Sequence, residues 1–520
     1  MSPSKSEFGP FHLLTRLARA VCLIGIAGTA CAQSDGGGND RRSFSIQPSL
    51  SVSTTATDNL RLDDVNAGKD KAVVGILSPG LSLRANTGLL RGSLDYAMDG
   101  LMYYKTSYGD RAQHRLSSQG TVALWDGRFA VDMRATLGQQ AQSAFGVAQS
   151  GSTSLTETNR SQLATLTISP RLMGQLGGIA SYQLNATGTE NRVKDSVVGD
   201  SKSAQIGLHL SGLGGSQRLL NWNLTGQAQR QTGGQTRRLT TEYALLGLSY
   251  RPDVDWSFQA QAGAERTNFV TIDPVTSSTY TVAMDWTPSP RTQLNADWRK
   301  HSYGNSHTLS FTHRMARSSW RFTDTQAVNG PGAVGASARQ TNYALYDAIF
   351  TALEADPVKR DLLVRAYLQA VGLNADAISN EGFLAASATM TRAQSAAFSL
   401  MGLRSTVTVS INQSKTRRLD PLSQATDDLG RFGNVRLRSA SLSLAHKLTT
   451  SNSISLTLAD QRNDNASGSQ SSDLKSLLGN FTGRLNQRLS YSLGLRHSRF
   501  NSNLRAYREN AATATLTQQF

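Results

Sequence analysis

Seven histidines follow residue 32: His114, His209, His301, His307, His313, His446 and His497. A catalytic base needs a nucleophile, a metal or an orienting acid at a fixed spacing. No pair is arranged as His-Glu-x-x-His and no Gly-x-Ser-x-Gly elbow occurs, so neither a zinc peptidase nor a nucleophile-elbow hydrolase is expected. The only cysteines, Cys22 and Cys31, fall in the opening stretch, which leaves no thiolate metal site and no disulfide framework beyond it. Gly36, Gly37 and Gly38 sit in a polar run with no strand before them and no helix after, so they form no phosphate cradle. No catalytic residue, cofactor or metal is expected.

Charged residues with a spacing of two are more informative. Arg91, Asp95 and Asp99 share one phase of an alternating segment; Arg128, Asp132 and Arg134 share another; Asp297, Arg299 and His301 a third; and His209 keeps phase with Gln205 and Ser211. On strands, residues two apart point to the same face. Mixed-sign rows of this kind line a polar interior, where they form ion-pair ladders or a filter for an anionic substrate.

The elements that position these rows are strands. From Val254 to Glu265 apolar Val254, Trp256, Phe258, Ala260, Ala262 and Ala264 alternate with polar or small residues; Leu220 to Gln229, Phe44 to Val52, Ala180 to Thr187 and Leu489 to Leu495 do the same. The runs hold phase for roughly 9 to 13 residues, the length a tilted membrane strand needs and longer than a sandwich strand. No apolar stretch is long enough for a spanning helix, and mean hydropathy is −0.34. The fold expected is all-β: a large closed antiparallel transmembrane barrel of about 18–22 strands over residues 44–520, with a short helical insert.

Short links such as Asp126-Gly127 and Thr449 to Asn452 alternate with long ones, as the two rims of an outer-membrane barrel do. With the N-terminus in the periplasm, the short links and the C-terminus fall on that side. Trp125, Trp222, Tyr250, Trp256, Trp286 and Trp320 lie near strand ends and suit an interfacial aromatic girdle, and Phe520 closes the last strand as an assembly signal. Residues 337–385 break the strand pattern: Tyr343 to Leu353 and Pro357 to Val371 read as helices, with Pro357 at a helix start and Gly372 as a cap, forming an outer loop or a lumen plug. Residues 1–32, with Lys5, Arg16 and Arg19 before an apolar run and Ala30-Cys31-Ala32 after it, read as a signal peptide, and residues 33–43 as a flexible periplasmic segment. The chain is basic, with formal charge +16, but its export excludes nucleic acid as a partner. Arg237-Arg238 and Lys415-Thr416-Arg417-Arg418 read as solvated charges on outer loops, with contact to anionic lipopolysaccharide as the alternative.

The segments Phe44-Ser45-Ile46-Gln47-Pro48-Ser49-Leu50-Ser51-Val52 with Thr57-Asp58-Asn59, Ser78-Pro79-Gly80-Leu81-Ser82-Leu83 and Arg91-Gly92-Ser93-Leu94-Asp95-Tyr96 resemble a known family. So do the helical insert and the stretch from Gly382-Phe383-Leu384 to Gly402-Leu403-Arg404-Ser405-Thr406. The family is that of outer-membrane β-barrels associated with the PEP-CTERM, exosortase and exopolysaccharide export systems. The resemblance implies a role beside exopolysaccharide or protein export, with export components as partners. It carries over no catalytic residue. The strand count suits a pore or conduit; the alternatives are a non-conducting docking component of an envelope assembly and, behind it, an outer-membrane hydrolase. A barrel of this class has outer-membrane lipid, lipopolysaccharide and, through its last strand, the outer-membrane assembly machinery as partners.

Overall fold

The computed structural model describes residues 44–520, apart from 65–66, 105, 107–108, 150–154, 156–158, 195, 197, 214–218, 234–235, 335–339, 342, 344–345, 348–349, 351–356, 372–377, 381 and 423–424. Residues 1–32, expected as a signal peptide, and the segment 33–43 therefore lie outside the described residues, as does Gly372.

Twenty-two strands pair in sequence order, the upper end of the range expected from alternation. They are β1 Phe44–Thr57, β2 Ala72–Asn86, β3 Leu90–Tyr104, β4 Arg111–Leu124, β5 Phe129–Ala141, β6 Arg160–Leu176, β7 Ala180–Val193 and β8 Ser201–Gly212. Then follow β9 Leu220–Gly233, β10 Thr236–Asp253, β11 Trp256–Thr267, β12 Val275–Ser289, β13 Thr292–His301, β14 Gly304–Arg314 and β15 Ser318–Asn329. The last seven are β16 Thr389–Met401, β17 Ser405–Arg418, β18 Asn434–Lys447, β19 Asn452–Asp464, β20 Ser471–Arg484, β21 Leu489–Ser502 and β22 Ala506–Gln519. Every neighbouring pair is antiparallel, and β22 returns to β1 with Ser49 opposite Gln519 and Thr57 opposite Ala511. Closure leaves no edge with unpaired backbone groups, which is the condition for strands to cross hydrocarbon.

Hydroxyls reinforce the seam on its inner face. Ser51 to Thr517 and Ser53 to Thr515 are each 2.9 Å apart, and Thr55 to Thr513 is 3.0 Å. On the outer face of the same strands Ile46, Val52 and Leu516 are exposed. The same division runs around the wall: Val74 and Ile76 are buried inside while Val73 and Leu77 stand outside, and Thr279 and Thr281 are buried inside while Tyr280 and Val282 stand outside. A water-soluble protein would bury these outward rows, whereas a bilayer covers them. Among the described residues no helix is long and apolar enough to cross a membrane.

Connections from even to odd strands have two to seven residues, and Phe44 and Phe520 lie on that rim. On the opposite rim 58–71, 142–159, 330–388 and 419–433 are long, while four connections have six or seven residues and three are shorter still: 234–235, 302–303 and 503–505. The reason is that several strands run on past the apolar belt, which shortens the loops. This corrects two expectations. Arg237-Arg238 lie in β10 and Lys415 to Arg418 in β17, where Lys415 pairs with Arg436 and Arg417 with Asn434, so these charges are on wall strands rather than on loops.

Candidate functional site

A barrel of this strand number encloses a lumen too wide for wall side chains alone to fill. The connection from β15 to β16 fills part of it. It spans 330–388, wider than the 337–385 read from the sequence, and folds inward. Pro357–Val371 is an α-helix, α1, with proline at its first turn, where a missing N–H costs nothing. Tyr343, Tyr346, Asp347 and Phe350 are helical too, and the rest of that first predicted helix lies outside the described residues.

Charge fixes α1 within the barrel. Arg365 of α1 reaches Asp95 of β3 at 2.8 Å and Asp361 at 2.8 Å. Arg84 of β2 reaches Asp95 at 2.9 Å and Asp361 at 3.3 Å. Two arginines and two aspartates thus alternate around a ring, two of them on the wall and two on the helix. The Tyr343 hydroxyl donates to Asp361 at 2.6 Å, and Ser82 donates to Asp95 at 2.6 Å. On the far side of α1, Val364 and Leu368 pack with Tyr346 against Ala445 of β18, and the Tyr346 hydroxyl lies 2.6 Å from that of Thr408 in β17. The insert therefore bridges β2–β3 to β17–β18 across the interior. Asp95 lies five residues from the short-turn end of β3, and Thr408 three residues from that end of β17, so the helix sits deep, near the short-turn rim. Burial pushes the Tyr343 and Tyr346 phenols above their usual range; neighbouring Asp361, which accepts the Tyr343 proton, adds to the first, and Tyr367 to the second.

Toward the opposite rim the insert is held by a different chemistry. Phe383, Leu384, Ala385, Ala386, Ser387 and Ala388 are all essentially inaccessible. Phe383–Ala385 pairs with Gly332–Val334, and Phe383 also pairs, in parallel, with Ala141 of β5. Around this segment pack Phe145 from the β5–β6 connection and Leu429 from a one-turn helix, α2 Asp428–Phe432, with Val435 and Leu437 of β18. Asp427 caps α2 through the Gly430 N–H at 2.8 Å and also accepts from Ala386 N–H at 2.7 Å. Asp428 accepts from Ser143 and from Ala144 N–H, the latter at 2.7 Å. Two neighbouring carboxylates thus tie three connections together, and burial raises the Asp428 pKa above the usual carboxylate value.

The predicted lumen rows distribute unevenly. Asp95 belongs to the α1 ring; Asp99 is buried, with Ser78 at 2.7 Å and Arg115 at 3.1 Å, and Arg91 is exposed on the same inner face near the short-turn rim. Asp132 and Arg134 face inward on β5, where Asp132 accepts from Thr121 at 2.5 Å. Arg128 does not sit on the strand: it follows the tight turn Trp125–Gly127, whose Asp126 has φ 54°, and is exposed at the rim. Asp297 is exposed, while Arg299 donates to Thr281 at 2.9 Å and lies 4.6 Å from the Tyr243 ring. His301 holds a polar relay that its spacing did not reveal, with Nδ1 2.8 Å from Glu265 and Nε2 2.9 Å from Ser306. Its ring is buried beneath Tyr303, with centroids 4.8 Å apart, so the base is covered. Among the described residues no group of His, Cys, Asp or Glu is placed to hold a metal.

The aromatic residues gather at the short-turn rim. Trp125 is at a turn, Trp222, Tyr250 and Trp320 are exposed outward, and Trp256 stacks on Trp286 with centroids 5.4 Å apart. Phe520 donates its N–H to Pro48 at 3.0 Å and its side chain is exposed at the same rim.

No family model matches the chain, and no curated protein matches it in sequence. Solved structures similar to it include the FrpB iron transporter of Neisseria meningitidis (F5-1 variant), at 11% identity and TM-score 0.46 over 91% of this chain and 82% of that one. The siderophore receptor PirA of Pseudomonas aeruginosa is similar at 9% identity and TM-score 0.41, over 91% and 80%. The siderophore receptor PiuA of Acinetobacter baumannii is similar at 8% and 0.42, over 91% and 82%.

Proposed function

We propose that this outer-membrane barrel is a gated conduit of an exopolysaccharide or protein export system, with the insert as its gate and both termini in the periplasm. One observation carries the reading: α1 is held deep in the lumen by a ring of ion pairs with the wall. Such contacts exchange for water when the helix leaves, so the plug is releasable in a way that a purely apolar plug is not. The export assignment rests on the sequence resemblance at Phe44–Val52 and the segments that follow it. In this reading the last strand, ending at Phe520, is what the assembly machinery engages, and export components meet the periplasmic rim.

A second reading, a non-conducting docking component, is favoured by the apolar seal around Phe383–Ala388, which is costly to open. Single-channel conductance in planar bilayers separates the two, using residues 33–520 with and without 337–385. Steps that grow on deletion support the conduit. Silence from both forms, each shown to be a folded, heat-modifiable barrel, overturns it and leaves docking.

A further inference from the structure

On the outer surface, strands β15 to β18 carry a basic ladder above an aromatic groove. Arg392 of β16 stands directly opposite Lys415 of β17, and Lys415 directly opposite Arg436 of β18. All three occupy the lipid-facing phase, since Leu400, Ile411, Leu442 and Leu444 of the same strands are the exposed apolar residues. Like charges opposite one another on a sheet repel. The flanks are relieved: Arg392 pairs with Asp324 at 2.6 Å, and Arg436 lies 3.7 Å from Asp464, which also pairs with Arg438. Lys415, exposed at the centre, has no ion pair among the described residues.

The height of the ladder is set by the strands. Lys415 is ten residues above Ser405 at the short-turn end of β17, and Arg436 ten above His446 at that end of β18. At about 3.3 Å per residue and a tilt near 40°, ten residues rise about 25 Å, the thickness of the apolar band. The ladder therefore lies at the headgroup level of the leaflet on the long-loop side.

Below it, toward the short-turn rim, is a groove of about 560 Å³ lined on the wall by Phe311, Trp320, Phe322, Phe398, Val409 and Ile411. Register places Phe322, Ala396 and Ile411 in one row and Trp320, Phe398 and Val409 in the next, with Trp320 and Phe398 at a centroid distance of 4.3 Å. From Ile411 to Lys415 is four residues, or about 10 Å along the barrel axis by the same arithmetic. Acyl chains descending that distance from a headgroup held at Lys415 meet the upper row of the groove, Phe322, Ala396 and Ile411, while Trp320, Phe398 and Val409 lie nearer the short-turn rim.

We propose that this wall is a binding site for a phosphorylated, acylated glycolipid of the outer leaflet, of the lipid A class. Its phosphates neutralise Lys415, flanked by the already paired Arg392 and Arg436, and its acyl chains descend onto Phe322 and Ile411 at the top of the aromatic groove. The site is on the outside of the barrel and is independent of whether the lumen conducts.

The test is native mass spectrometry of the folded barrel released from detergent, with three probes: bisphosphorylated lipid A, the same lipid with phosphates removed, and phosphatidylglycerol. Heat-modifiability confirms folding of every variant. Bisphosphorylated lipid A is expected to be retained, with at least tenfold weaker retention after phosphate removal and a similar loss in the Lys415→Gln/Arg436→Gln variant. Ile411→Trp, which fills the groove and leaves the charges, is expected to weaken both forms of lipid A. Equal retention by the wild type and the charge variant overturns the site. Equal retention of phosphatidylglycerol and lipid A overturns the assignment to a glycolipid.

Discussion

Replacing Asp361 with alanine tests whether the ion-pair ring holds the plug. The carboxylate is almost fully buried and accepts from Arg365 at 2.8 Å and Tyr343 at 2.6 Å, with Arg84 at 3.3 Å as an ionic contact. Removing one partner of a buried pair costs about 3–5 kcal/mol, because the remaining charge stays desolvated. The lower end applies here: both arginines keep Asp95, and their side chains are 17% and 35% exposed, so water screens part of the loss. About 3 kcal/mol corresponds to about a hundredfold change in the docked-to-undocked equilibrium. Hydrogen exchange on the folded barrel reads this directly. Amides of 357–371 are expected to lose protection by up to that factor, while β18 and β19 keep theirs, and open-state dwell in bilayers lengthens. Asp361→Asn retains volume and one acceptor and is expected to lose about half as much free energy. Unchanged helix protection, within about threefold, in a variant that remains heat-modifiable would refute the argument that charge holds α1 in place.

Four further outcomes follow from the geometry. Phe383→Ala removes a fully buried ring at the outer seal and is expected to cost about 3–5 kcal/mol locally, exposing 144–149 to protease in proteoliposomes; no change in cleavage would contradict the seal. Leu495→Arg places a charge on the lipid-facing row near mid-bilayer and is expected to cost about 2–4 kcal/mol in urea unfolding from vesicles, against under 1 kcal/mol for Arg499→Ala; equal costs would argue against the outward phase of β21. Because burial raises the Asp428 pKa in the folded state, docking of α2 onto 143–145 is strongest below the ordinary carboxylate value and weakens as pH rises through the raised one; Asp428→Asn flattens that dependence, and exchange protection of 143–145 that rises with pH would contradict it. Ser306 is expected not to label with a fluorophosphonate despite its 2.9 Å contact with His301, since Tyr303 covers the ring; labelling abolished by Glu265→Gln would reopen the case for a hydrolase.

The wall of this protein was legible in its sequence because a membrane barrel writes the same two-residue rule on every strand. Val254 to Glu265 alternates without error, and a one-residue slip there would turn Trp256 and Phe258 into the lumen, so pattern and register are one constraint. The wall charges at Asp95, Asp99 and Asp132 could be assigned an inner face for that reason. Arg128 could not, since a left-handed residue at Asp126 shifts the turn, and turn geometry is a local backbone choice that alternation does not encode. What fills the lumen was less legible still. The composition of residues 337–385 announced helices, but their destination depends on Arg365 meeting Asp95, a partner 270 residues away on another element. The seal at Phe383–Ala388 reads in sequence as an ordinary apolar run, and only the convergence of three connections makes it a core. The outer wall shows the converse: once alternation is followed past the apolar belt, Lys415 stops being a loop charge and joins Arg392 and Arg436 in a row at a fixed height, facing lipid. The same periodicity that hides those residues in a basic composition gives them a common direction, and direction converts scattered charge into a surface with a specific neighbour.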